Sequence, residues 1–107
     1  MSNTYVNAKV DLTTTNITTL YTCAALTTGI VKSIIVSEDS NNADTITLTI
    51  TDASSAVFSI YKTKAVSANG TVELLTAPLV VQASEILKVT AATANRLHVV
   101  ASILEIT

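Results

Sequence analysis

At 107 residues and 11.2 kDa, with 49% hydrophobic, 13% charged and 4% aromatic residues, the chain describes one small domain built on Ala, Val, Ile and Leu. A chain of this mass buries about 65% of its unfolded surface, enough for one core without staples, and two domains are excluded. A net charge of -2, with Lys9, Lys32, Lys62, Lys64, Lys88 and Arg96 scattered along the chain, gives no basic stripe for phosphates and argues against a nucleic-acid partner.

Nineteen Thr and ten Ser outnumber the charged residues, so hydroxyls supply most of the polar surface. From the N-terminus, Met1 to Thr4 reads as a flexible arm leading into the single domain. Alternation of apolar and polar residues, the signature of a half-buried strand, begins at once. Val6, Ala8, Val10 and Leu12 share one face, opposite Tyr5, Asn7, Lys9 and Asp11. Further strands are predicted at Ile17 to Cys23 and Ile30 to Ser37, and most clearly at Thr45 to Thr51, where every even residue is aliphatic and every odd one Thr. Val57 to Lys64, Thr71 to Leu75, Leu79 to Val81, Ile86 to Thr90 and Arg96 to Ile106 follow.

Turn residues separate these runs at Thr13 to Asn16, Ser40 to Asn42, Asp52 to Ser55, Ser67 to Gly70, Pro78 and Thr93 to Asn95, with Asn69-Gly70 able to supply positive φ. Eight to nine short antiparallel strands point to an all-β sandwich or jelly roll, with a small barrel as the other arrangement. The last strand is apolar on both faces, which places it centrally under two layers or against another subunit; its C-terminal half favours the subunit.

Residues that could carry chemistry are sparse. His98 is the only imidazole, lies inside a predicted strand, and has no Gly-x-Ser-x-Gly nucleophile elbow to work with. Cys23, the only thiol, sits in an apolar strand and is 75 positions from His98, without metal-ligand spacing. The oxygen-rich run Glu38 to Asp44 departs from a calcium loop, with no Gly at the sixth position and no Glu at the twelfth, counting from Asp39. Eight scattered carboxylates, with four aromatic residues, make a poor glycan site, and two glycines cannot build a phosphate loop. No enzyme activity, cofactor or metal is expected. The start of the chain lacks the basic and apolar regions of a secretory signal, and no apolar run approaches a membrane span, so synthesis in a reducing cytoplasm and no membrane contact are expected.

The stretch Leu20 to Ser37, reading LYTCAALTTGIVKSIIVS, resembles the "LYT-x-PAG-x-T-x-IVKSI-x-VSN" pattern of small virion proteins of tailed phages. Thr71 to Val89 is similar to their "LELLDG-x-LVL-x-AGDSLKV", and Asn95 to Ile106 to their "N-x-L-x-VVASILEI". Two turns depart: Cys23-Ala24-Ala25-Leu26 stands where the pattern has Pro-Ala-Gly, and Ala83-Ser84-Glu85 where it has Ala-Gly-Asp, so less permissive residues must make those turns. The resemblance implies a β-rich structural component of a bacteriophage virion, homo-oligomeric or trimeric, bound to other virion proteins such as the major capsid protein. A capsid decoration or cement protein on the outer shell is the leading expectation. A tail, neck or fibre component and a lectin-like module are the alternatives. The expected contact surface combines the hydroxyl row Thr45, Thr47, Thr49 and Thr51 with Val100, Leu104 and Ile106 of the last strand.

Overall fold

The structure, a computed structural model, describes residues 2–107. Among them lie nine strands: β1 (Asn3–Asp11), β2 (Thr18–Thr22), β3 (Thr28–Glu38), β4 (Asp44–Thr51), β5 (Val57–Val66), β6 (Thr71–Glu73), β7 (Leu79–Val81), β8 (Ile86–Ala91) and β9 (Leu97–Ile106). Every pairing is antiparallel and the pairs nest: β1 with β9, β2 with β8, β3 with β6 and β7, β4 with β5. Lateral pairing of β9 with β3 and of β8 with β4 then gathers the strands into two sheets. Sheet A runs β1-β9-β3-β6 with β7 also on β3, and sheet B runs β2-β8-β4-β5. An antiparallel ribbon rolled up in this order is a jelly roll, the more specific of the two sandwich forms expected.

The inward residues of each alternating run meet between the sheets. Val31, Ile34, Val36, Val99, Ala101 and Ile103 of sheet A face Ile46, Leu48, Leu87 and Val89 of sheet B, all essentially without solvent exposure. Branched aliphatic side chains suit this space because strands leave them few rotamers to lose. The last strand is central, between β1 and β3, and its buried face is this core.

Polar side chains tie the ends of the roll. Tyr21 of sheet B is buried, and its hydroxyl donates to Glu105 Oε2 of sheet A at 2.6 Å. Burial and that carboxylate push the phenol above its ordinary pKa. At the opposite end Glu38, 2% exposed, accepts from the backbone N–H groups of Ser40 (2.6 Å), Asn42 (3.1 Å) and Asn69 (2.8 Å), and from the Ser40 hydroxyl. Burial alone would raise its pKa, but these donors outweigh it and lower the carboxyl from 4.5 to about 2.

The chain start corrects the flexible arm. Asn3 and Thr4 belong to β1, paired with Ile106 and Glu105, and Ser2 exchanges both backbone hydrogen bonds with Thr107 at 3.1 and 3.0 Å. Met1, also counted in that arm, lies outside the described residues. The apolar alternation from Val6 to Leu12 needed a partner strand, and the C-terminal strand supplies one along its full length. In the turn at Ser67 to Gly70, Asn69 alone takes positive φ (54°), while Gly70 does not. Leu26 (φ 62°) and Ser84 (φ 68°) are left-handed, at two of the three positions where the virion-protein patterns carry Gly.

Replacing Leu26, 94% exposed, by Gly removes about 1–2 kcal/mol of left-handed strain at a cost of roughly 0.5–1 kcal/mol of chain entropy, so Leu26→Gly is expected to stabilise by up to about 1.5 kcal/mol in urea unfolding. A loss of stability would contradict the strained turn. The depressed pKa of Glu38 makes its contribution complete above about pH 4.5 and lost as pH falls towards 2. Glu38→Gln is therefore expected to melt below the wild type at pH 7, with the gap closing between about pH 4.5 and 2. A gap independent of pH would contradict this.

Candidate protein-contact surface

The register of sheet A defines rows of side chains on its outer face, because side chains at paired positions share a side. One row runs Tyr5, Leu104, Ile30, Val80 across β1, β9, β3 and β7. A second runs Lys9, Val100, Ile35, Glu73 across β1, β9, β3 and β6. Between them lies a shallow groove of short polar side chains, Asn7, Ser102 and Ser33, and Ile106 flanks the first row. Tyr5 is 76% exposed, Val80 51%, and Val100 and Ile35 39% each. Large apolar side chains grouped on one sheet face with a polar surround mark an interaction surface.

The rim is built from bonded polar groups. Glu73 accepts from the Ser33 hydroxyl and from the N–H groups of Ile34 (2.8 Å) and Leu75 (3.1 Å), and those donors hold its pKa below the ordinary value against an opposing effect of burial. The last row sets Asp11, His98 and Ser37 side by side on β1, β9 and β3, a Ser-His-Asp combination in composition. In geometry it is not a triad. His98 Nε2 lies 3.2 Å from Asp11 Oδ1 and Nδ1 lies 3.5 Å from Asp39 Oδ2, so a carboxylate occupies each ring nitrogen and neither is turned to the serine.

The residues expected to form one contact surface fall on two opposite faces. Val100, Leu104 and Ile106 are on the outer face of sheet A. Thr45, Thr47 and Thr49 point outward from sheet B, beside Lys88 and Thr90 of β8. Thr51 is not surface at all: it is 7% exposed, set between Val57 and Ile86 in register, and its Oγ1 has no hydrogen-bond partner among the described residues. Alternation is blind to such neighbours, since it gives the side a residue points to but not what covers it.

Tyr5, Ile30, Ile35 and Val80 were not in the expected set. Ile30 and Ile35 share a face despite opposite parity because the ladder to β9 shifts between Val31 and Ser33, leaving Lys32 as an extra residue. The sequence signal was the run Ile30 to Val36, apolar at both parities.

The oxygen-rich loop has its carboxylates turned to N–H donors. Glu38 caps the loop, Asp44 Oδ2 accepts from Thr93 N at 3.1 Å, and Asp39 faces His98. Cys23 is buried, and its Sγ lies 3.3 Å from the Thr27 carbonyl oxygen to which it donates. No helix among the described residues is long and apolar enough to cross a membrane.

No family model matches the chain. No curated protein matches it either. Among solved structures it is similar to a chain in "Structure of infectious bursal disease virus Gt strain", at 8% identity and a TM-score of 0.49. The similarity covers 98% of this chain and 30% of that one, so this chain spans less than a third of the other's length.

The unpaired hydroxyl of Thr51 costs its desolvation without a compensating bond, roughly 1–3 kcal/mol. Thr51→Val keeps the β-branched shape and removes that cost, and is expected to raise the midpoint of thermal unfolding. A drop in the midpoint would show that the hydroxyl has a partner in solution.

Proposed function

We propose that the protein is a structural component of a bacteriophage virion, a decoration or cement protein seated on the outer capsid surface through the outer face of sheet A, with the major capsid protein as partner. The observation that carries this reading is how the segments resembling small virion proteins come together. They supply β2 and β3, β6 to β8, and β9, and their polar residues bond one another: Tyr21 of the first to Glu105 of the third, Ser33 of the first to Glu73 of the second. The departures fit too, since Leu26 and Ser84 adopt the left-handed backbone that the pattern's glycines would favour, while Ala77, opposite a third pattern glycine, does not.

The outer face of sheet A supports a binding role. It collects Tyr5, Ile30, Ile35, Val80, Val100 and Leu104, whereas the outer face of sheet B is hydroxyl and lysine along β4 and β8, with exposed Val57 at one end of β5. Mechanistically, a protein that binds only the assembled shell stabilises it by mass action, by about 2.7 kcal/mol per site at a free concentration a hundredfold above Kd.

Counting copies by quantitative mass spectrometry of purified virions tests this, with hundreds per particle expected. A few to tens would move the protein to the tail, neck or fibres, and absence from particles would overturn the virion reading. Ile35→Lys and Val100→Lys are expected to weaken incorporation at least about tenfold, and Thr45→Lys on the other face to leave it unchanged. The reverse pattern would move the contact to sheet B.

A further inference from the structure

The four edges of the sandwich are not equally protected: β2, at one edge of sheet B, is only five residues long and has a register shift between Thr19 and Tyr21. β5 edges sheet B with Lys62 and Lys64, two register shifts, and Thr63 at φ 51°. Bulges and lysines are the devices by which sheet edges refuse further strands. The far edge of sheet A is divided between two short strands, β6 and β7. β1 is less protected, with one lysine, Lys9, and no register shift. It runs nine residues without Pro and pairs with β9 in unbroken register from Asn3 with Ile106 to Asp11 with His98.

The hydrogen-bond parity of this strand follows from its ends. Ser2 and Thr107 exchange both backbone bonds, and Leu12 N donates to Leu97 O at 3.0 Å, so the even residues of β1 turn their N–H and C=O groups to β9. The odd residues Asn3, Tyr5, Asn7, Lys9 and Asp11 turn theirs to the open edge. Among the described residues, only the Asp11 carbonyl of this set is engaged outside the strand, by Thr13 N.

We propose that this edge takes the β1 strand of a second copy, antiparallel about a two-fold axis at Asn7. A two-fold antiparallel pairing matches residues of equal parity, so the free groups of one strand meet those of the other. Centring on Asn7 uses the whole strand: Asn3 opposite Asp11, Tyr5 opposite Lys9, Asn7 opposite Asn7 and Thr4 opposite Val10. The charges are complementary in this register. Each Lys9 ammonium meets a Tyr5 ring, each Asp11 meets an Asn3 amide, and no like charges oppose; centring on Lys9 would set two ammonium groups together. The pairing also joins the outer-face rows, since Val80, Ile30, Leu104 and Tyr5 of one copy continue into Lys9, Val100 and Ile35 of the other. This inference stands independently of the virion reading.

Sedimentation velocity of the full chain from about 1 to 200 μM tests it, with a dimer of twice 11.2 kDa expected. Asn7→Pro removes an N–H that β9 does not use, and Asn7→Lys places two like charges at the axis. Both are expected to weaken dimerisation at least about tenfold while keeping the far-ultraviolet circular dichroism of the wild type. Under a mild thiol oxidant such as diamide, Asn7→Cys is expected to crosslink to its own copy and Asn3→Cys not to. A monomer at every concentration overturns the proposal, as do a trimer, a dimer indifferent to both Asn7 variants, or a monomer that instead pairs with a strand of another protein.

Discussion

Sheet A closes only when the ten residues of β9 lie between β1 and β3. The ladder matches Asn3 with Ile106 and Thr28 with the same Ile106, so one C-terminal strand completes pairings with two strands far behind it in sequence. Loop closure over such separations is paid before any contact returns it, which puts a jelly roll among the slower-folding small domains. The inter-sheet link depends on the same event, because Tyr21 finds Glu105 only after β9 is in place. That link dictates Gly29 as well. A Cβ there would lie 2.9 Å from the Tyr21 hydroxyl, so the ring reaches the carboxylate only across a residue without a side chain.

How much of this was legible in the sequence depends on how local the physics is. Period-two alternation is a property of a single strand, and it located β4 and β8 almost residue for residue. Strand order was not legible, because period two says nothing about which strand is next door. The N-terminal residues show the difference. Ser2 to Thr4 have no local signal for order, yet the C-terminal strand is long enough to pair with them. The expected contact residues divide between two faces for a related reason. Thr51 continues the hydroxyl pattern of Thr45 to Thr49 but sits among Val57 and Ile86, while Ile30 and Ile35 reach one face only through the shift at Lys32. Where the sequence did speak beyond one strand, it spoke through turns. Leu26 and Ser84 stand where glycines are expected, and both are left-handed.

The abundance of threonine now has a location. On sheet B, Thr45, Thr47 and Thr49 lie with Thr90 and Lys88 on the outward face, and Thr47 Oγ1 accepts from Thr63 N at 3.1 Å, so part of the hydroxyl row stitches β5 across its irregular register. A β-branched hydroxyl serves both ends, favouring the extended backbone and remaining soluble when exposed. Sheet A carries the opposite solution, with isoleucine, valine, leucine and tyrosine outward. Low charge is compatible with both. Burying a face that holds few ionised groups avoids the desolvation penalty that an unpaired lysine or carboxylate would bring to an interface.

The asymmetry extends to the edges. An edge strand of nine residues, regular and without proline, is an aggregation hazard unless something occupies it. β5 shows that this sequence can protect an edge, with two register shifts, two lysines and a left-handed Thr63 in a single strand. β1 has only Lys9 of those devices, with no register shift and no left-handed residue along its nine positions. Pairing two β1 strands would remove the hazard and bring two apolar faces into one continuous sheet. A pair of modest faces held together engages a repetitive surface more tightly than either alone, because the second contact forms at a high effective concentration when the spacing of the sites matches. The open edge and the apolar face are thereby parts of one physical problem: each is costly in isolation, and both lie on the sheet that the C-terminal strand closes.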